Sequence, residues 1–178
     1  MDNGESSYRR FLDGDESAFD EIMKEYRDSL TFFIDRIVRD MAVAEDIAID
    51  VFTDLIVHRH RYDFRVKLKT YLFMLGRSRA LNYVKRRTRI RTVEISEAED
   101  EADRCSVEEA FLSDERKKIV NSAVEELPDD MRAAVHLVYF EELSYEDAAK
   151  VMGKKRKAVD NLLYRAKSML RDRIGEEI

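Results

Sequence analysis

Apolar residues recur along this chain in blocks with helical spacing. Phe19, Ile22, Met23, Tyr26, Leu30, Phe33, Ile34 and Ile37 fall on one face of a helix, because side chains three and four positions apart lie one above the other. Ser17, with Asp20 three positions on, resembles a capping box and predicts Ser17 as the cap of that helix. In "AEDIAIDVFTDLIVH", Ile47, Ala48, Val51, Phe52 and Leu55 share one side of a second helix, expected from about Ala44 to His58. A third is expected from about Lys67 to Arg87, with Leu68, Tyr71, Leu72 and Leu75 on its inner face. Three helices with short connections make a small bundle.

The pattern lapses in "TVEISEAEDEADRCS" and resumes near Ser113. Leu127-Pro128 interrupts it, and one helix is expected from Asp129 to Phe140. Ser144 with Asp147 then forms a capping-box pattern that opens a short helix, and Gly153 closes it. The final helix buries Val159, Leu162, Leu163, Ala166, Met169 and Leu170. With 5 glycines and 1 proline in 178 residues, so few breakers beside so many Ala, Leu, Glu, Lys and Arg argue for an all-α protein. The expected organisation is two small helical domains, 1–92 and 113–178, joined by a flexible acidic linker, 93–112.

Net charge is −6, which by itself argues against a nucleic-acid partner, but the charge is segregated. From His58 to Arg91 twelve Lys and Arg face a single acid, Asp63. From Glu94 to Glu115 ten acids face only Arg104, and from Lys154 to Arg173 eight cations face two acids. Phosphate binding depends on local cationic patches and not on the total. The single cysteine, Cys105, rules out an intrachain disulfide and fits a reducing cytoplasmic setting. No apolar run approaches the ~20 residues that span a bilayer, and the N-terminus lacks the apolar stretch of a signal peptide. A cytoplasmic protein with no membrane insertion is expected.

The second cationic patch follows Gly153 directly, at the start of the last helix. Ala149, four positions before the glycine, is small where two helices must approach, and Val159, six after it, is apolar where the second helix packs back. This is helix–turn–helix spacing, in which the second helix offers its first turns to the DNA major groove. Lys154, Lys155, Arg156, Lys157, Asn161, Tyr164 and Arg165 stand there. Arginine pairs with guanine and asparagine with adenine, while lysine mostly meets phosphate. Read alone, the spacing fits either duplex recognition or a solvated helical hairpin.

The first patch interleaves cations with Tyr62, Phe64, Tyr71, Phe73 and Tyr83. Rings and a basic track together suit single-stranded nucleic acid, since unpaired bases stack while the backbone is attracted. About half of these rings are expected in the core. The outer side of the second helix carries Glu45, Asp46, Ile49, Asp50 and Thr53, either a docking surface with an apolar centre or an ordinary solvated face. His58 and His60 lack a third ligand nearby, so no metal site is expected. No glycine-rich phosphate loop or nucleophile–base pair is present, so neither a cofactor nor an enzymatic activity is expected.

Both units, in this order, resemble the extracytoplasmic-function group of bacterial sigma factors. The resemblance rests on "AEDIAIDVF", "YDFRVKLKTYLFMLGRSRALNYVKRRTR" and "LPDDMRAAVHLVYFEELSYEDAAKVMG…AVDNLLYRAKSMLRD", and it covers about residues 8–92 and 113–174. It implies a sigma-2-like bundle of three or four helices and a sigma-4-like helix–turn–helix bundle. By the same resemblance, Glu45, Asp46, Ile49, Asp50 and Thr53 would dock on the largest-subunit clamp of RNA polymerase core. Tyr62, Arg65, Lys67, Lys69, Tyr71, Arg77, Ser78, Arg79, Asn82 and Arg86 would hold the opened −10 strand of promoter DNA. The residues after Gly153 would read the −35 duplex. An anti-sigma factor is the family's usual control. The chain departs from the family at Ile49, where glutamine is usual, at Tyr71, where tryptophan is common, and at Ser78 and Asn82, in place of a frequent asparagine and aspartate. The alternative is a helix–turn–helix regulator that works without polymerase.

Overall fold

The computed structural model describes residues 4–94 and 115–174, with side chains over 4–90 and 120–174. Eight α-helices and one π-turn are present among them: α1 (Glu5–Leu12), α2 (Ser17–Val38), α3 (Met41–Val57), α4 (Leu68–Glu94), α5 (Glu115–Glu125), α6 (Asp129–Val135), the π-turn His136–Phe140, α7 (Tyr145–Met152) and α8 (Arg156–Ile174). Most of the expected acidic linker lies outside the described residues, as does Cys105, while α4 runs on to Glu94, past the expected boundary at 92.

The N-terminal bundle is α2, α3 and α4 packed on one another, with α1 laid along α2. Its core takes Ile22, Tyr26, Leu30, Phe33 and Ile34 from α2, Val51, Phe52 and Leu55 from α3, and Leu68, Leu72 and Phe73 from α4. Burying each such side chain contributes roughly 1.5–3 kcal/mol. Gly76 lets α4 come close to α2, for a Cβ there would lie 2.9 Å from Leu30 Cδ1. The sequence reading missed α1, although Tyr8, Phe11 and Leu12 have helical spacing. Tyr8 is fully buried, and its hydroxyl donates to the Arg59 carbonyl at 2.7 Å.

Ser17 is the first residue of α2 and not its cap. Its hydroxyl donates to Asp15 Oδ1 at 2.6 Å, and no side chain caps the helix. The cap position falls on Glu16, in helical backbone (φ −61°, ψ −30°), so Ser17 already lies inside the first turn while its hydroxyl turns back to Asp15. The cap of α3 is Asp40, which accepts from the Val43 amide at 3.2 Å, so that helix starts three residues before the expected Ala44.

In the C-terminal domain α6 and α8 pack together, flanked by α5 and α7. Arg132 is buried, and it donates to the Glu125 carbonyl at 2.5 Å and to Asp129, joining the end of α5 to α6. The single helix expected from Asp129 to Phe140 changes type after Val135. The Glu141 amide bonds the His136 carbonyl at 3.0 Å, five residues back, the wider turn of a π-helix. Within this turn His136 is buried while Tyr139 and Phe140 are exposed, and Glu141, which follows it, is buried. The local reading of α7 holds: the Asp147 amide donates to Ser144 Oγ at 3.1 Å, and Gly153 ends the helix at φ +63°.

Candidate nucleic-acid interface

The inner face of α8 is Val159, Leu163, Ala166 and Leu170, all buried. Steps of three and four along a helix fix what points away. Lys155, Arg156, Lys157, Asn161, Tyr164 and Arg165 are all exposed, Tyr164 to 78%. A large ring left in solvent beside a row of cations has its polar edge and its face free for a partner. Arg156 Nε lies 3.0 Å from Glu146 Oε1, a pair of two exposed side chains. Lys154 is the exception in this set, being half-buried with its Nζ 2.9 Å from Asp130 Oδ2.

On α4, Ser78, Asn82 and Arg86 are exposed at intervals of four and form one polar stripe. The other expected contacts are held differently. Arg65 is 87% exposed beside Asp63 at 3.1 Å, and Arg79 lies 3.5 Å from Asp54. Lys67, Lys69 and Arg77 turn toward the C-terminal domain, where Asp147, Glu141 and Asp130 meet them at 3.9, 2.8 and 3.9 Å. Burial lowers the Arg77 pKa, and Asp130 acts against that shift.

Tyr62 is a correction. It is 3% exposed, and its hydroxyl donates to the Val66 carbonyl at 2.6 Å. Its ring lies 4.7 Å from Phe64, 5.0 Å from Tyr71 and 5.4 Å from Tyr8. Burial, with Glu5 nearby, raises the pKa of its phenol. A ring committed on these sides supports the loop and offers no face to a base. Tyr71 is half-buried against it, so only part of that ring is open.

On α3, Glu45, Asp46, Ile49, Asp50 and Thr53 are all exposed, Ile49 to 50%. Ile56 and Val57, exposed to 40% and 66%, lengthen the apolar part of this surface. The spacing of Ile49, Thr53 and Ile56 could have shown the longer stripe, but "LIV" at 55–57 reads first as core. His58 Nδ1 lies 3.1 Å from Asp54 Oδ1, and among the described residues no cluster of three His, Cys, Asp or Glu is placed to hold a metal ion. No helix among them is long and apolar enough to cross a membrane.

Comparisons with known proteins find a match for each of the two units. The family model for Sigma-70 region 2 matches residues 22–90, and that for Sigma-70, region 4 matches residues 117–170. The RNA polymerase sigma-H factor of Pseudomonas aeruginosa is 32% identical over 168 residues, covering 88% of this chain and 86% of that one. The ECF RNA polymerase sigma factor SigM of Bacillus subtilis is 28% identical over 157 residues, covering 86% and 93%. Among solved structures, the sigma factor RpoE of Bartonella quintana, in complex with the anti-sigma factor NepR, superposes with a TM-score of 0.73 at 22% identity. It covers 90% of this chain and 98% of that one. CnrH in complex with the cytosolic domain of CnrY gives 0.67 at 16% identity, covering 99% and 100%. At such identities the structural likeness speaks for the fold.

Proposed function

The chain belongs to the sigma-70 family of RNA polymerase sigma factors, in its extracytoplasmic-function group, and directs RNA polymerase in transcription initiation; we propose that it does so through three helices with separate tasks. The exposed stripe of α3, Glu45, Asp46, Ile49, Asp50 and Thr53, docks on the clamp of the polymerase's largest subunit, with Ile56 and Val57 extending the apolar contact. The segment just before α4 and the outer side of α4 hold the opened −10 strand. Arg65, Lys67, Lys69, Arg77, Arg79 and Arg86 attract its phosphates, Ser78 and Asn82 meet its bases, and Tyr71 offers a partial stacking surface. The start of α8 enters the −35 major groove, where Arg156 and Asn161 reach base edges and Lys154, Lys155 and Lys157 meet phosphate. Tyr164 and Arg165 extend this contact along the groove. The protein performs no covalent chemistry and works where the polymerase does, in the cytoplasm. An anti-sigma factor that covers these surfaces would keep it inactive.

The observation that carries this reading is the exposure of polar and cationic side chains on α8 and α4, on two separate domains of an acidic chain. A single duplex-binding regulator needs only the first of these surfaces. The test is binding of the polymerase–protein complex to a promoter duplex and to a fork with an unpaired −10 strand. Arg156→Ala with Lys157→Ala should weaken both DNAs. Arg65→Ala with Arg86→Ala should weaken the fork far more than the closed duplex. Equal losses on both DNAs would remove α4 from the strand site.

A further inference from the structure

Asp54, near the end of α3, gathers three basic side chains from the turn that follows it and from α4. His58 Nδ1 lies 3.1 Å from its Oδ1, while Arg61 Nη1 and Arg79 Nη2 each lie 3.5 Å from its Oδ2. The Asp54 side chain is only 14% exposed, whereas Arg61 is 58% exposed and Arg79 36%. The turn that carries Arg61 is fixed through its backbone. The Arg61 amide donates to the His58 carbonyl at 2.8 Å, and the Arg59 carbonyl accepts from the buried Tyr8. Burial raises the Tyr71 pKa, the charge of Asp54 adds to that shift and Arg61 opposes it, so this cluster stands beside the Tyr71 ring. On α4, Tyr71, Arg79, Asn82 and Arg86 share one face at helical spacing. The Asp54 cluster therefore borders the exposed polar stripe of α4 on the side of α3.

Two guanidinium groups that converge on one oxygen would repel each other without the carboxylate. Each carries five N–H donors, so a contact with Asp54 leaves others for a phosphate. We propose that Asp54 is a positioning residue of the −10 strand site, and that Arg61 is a further phosphate contact there, converging with Arg79. Asp54 acts through the two arginines and touches no DNA itself. The inference rests on the assignment of α4 to the opened strand and deepens it, adding the turn after α3 to that site. Charge counting alone gives the opposite sign. An anion beside the strand repels phosphate, so its removal would tighten binding unless the placement of Arg61 and Arg79 matters more.

The test uses the full chain bound to core polymerase, on the fork with an unpaired −10 strand and on the closed duplex. The variants are Asp54→Asn, Asp54→Glu and Arg61→Ala, with Arg65→Ala plus Arg86→Ala run beside them as the measure of the strand site itself. Arg61→Ala should weaken the fork about tenfold, the lower end for a hydrogen bond to a charged group, and reduce its salt slope by about 0.7. Asp54→Asn should weaken the fork about fivefold, the upper range for a solvent-accessible ion pair, although it removes a negative charge. Asp54→Glu, which keeps the carboxylate, should lose less. All three should leave the closed duplex nearly unchanged. In a chain already carrying Arg61→Ala and Arg79→Ala, Asp54→Asn should weaken the fork no further, because its effect passes through those side chains.

Fork binding unchanged by Arg61→Ala, or unchanged or tightened by Asp54→Asn, would overturn the inference if Arg65→Ala with Arg86→Ala still impairs the fork. The strand site on α4 would then stand without it. Equal losses of fork and duplex in Asp54→Asn would also overturn it, since the carboxylate would then support only the fold. A fork indifferent to every variant, Arg65→Ala with Arg86→Ala included, would refute the strand site and this inference together.

Discussion

The imidazole of His136 stacks on the phenyl ring of Phe33 across the domain boundary, with centroids 5.8 Å apart and planes 18° from parallel. Phe140 stacks on the same imidazole at 5.4 Å and 16°, and His136 Nε2 approaches Glu141 Oε1 at 3.2 Å. That approach is too poorly aligned to satisfy the nitrogen as a hydrogen bond, and neither ring nitrogen has an aligned partner. The ring serves as a flat apolar contact between the two domains, and it fills that role best when neutral.

Burial depresses the His136 pKa below its ordinary 6.5, and Arg36 lowers it further, while Glu141 and Glu125 oppose them. Lys69 neutralises part of the Glu141 charge, and Arg77, Asp129, Asp130 and Arg132 line the cavity beside the ring. For a histidine depressed in the packed state, the stability is present above the ordinary value and lost as pH falls toward the lowered one. Burial acts to raise the Glu141 pKa, but His136 and Lys69 outweigh it, so this carboxyl also ends below its ordinary 4.5. Its contribution is lost in the same direction, at lower pH. The contact between the domains should therefore loosen as pH falls below the ordinary histidine value of 6.5, seen as a growing radius of gyration. His136→Gln should flatten that dependence, and an identical dependence in the variant would exclude His136 as its source.

Tyr8→Phe should cost about 1 kcal/mol, because the Arg59 carbonyl loses its buried donor while the ring still fills its site. The phenol is held protonated, its pKa pushed up to about 12 chiefly by burial. Denaturant unfolding measures the loss. Unchanged stability would mean that α1 does not dock on the end of α3 in solution.

Gly153→Ala should destabilise the C-terminal domain by about 1–2 kcal/mol, the strain of a left-handed backbone bearing a Cβ. Nothing lies within 4 Å of a Cβ built there, so the cost is conformational and not steric. Gly153→Asn should lose less, since asparagine tolerates this region better. Equal melting temperatures for alanine and asparagine variants would contradict this account.

Ile49→Glu should leave the melting temperature nearly unchanged, since an exposed substitution shifts stability by about 0.5 kcal/mol at most. The same change should weaken binding to core polymerase on the order of tenfold, as loss of a central apolar contact does. Full retention of polymerase affinity would move the docking surface away from α3.

Lys155→Ala and Asn161→Ala should fail differently on −35 duplex DNA. The lysine variant should weaken all sequences alike and reduce the salt slope by about 1. The asparagine variant should keep its salt slope and lose discrimination at one base pair, by about 1–3 kcal/mol. Binding of a duplex panel at several salt concentrations separates them.

What could be read from the chain alone was what depends on near neighbours. Ser144, Asp147 and Gly153 set the ends of α7 through bonds within a few residues, and they were read correctly. Ser17 carries the same type of signal, but the cap position falls on Glu16, and the pattern does not reveal that shift of one residue. Tyr62 shares its mixture of rings and cations with exposed segments. Only the packing of Tyr8, Phe64 and Tyr71 around it shows that the ring is interior. The change to a π-turn at His136 leaves apolar spacing almost intact and so has no clear mark in the pattern. The pairing of Lys69 with Glu141 spans 72 positions and depends on how two domains meet, which no local periodicity encodes.

The most direct test of the central claim is transcription from a randomised promoter library by bacterial core polymerase, with and without this protein. The account predicts new start sites that share two upstream elements, near −10 and −35, and appear only when the protein is added. Specific duplex binding by the protein alone, with no new start sites beside core polymerase, would contradict it.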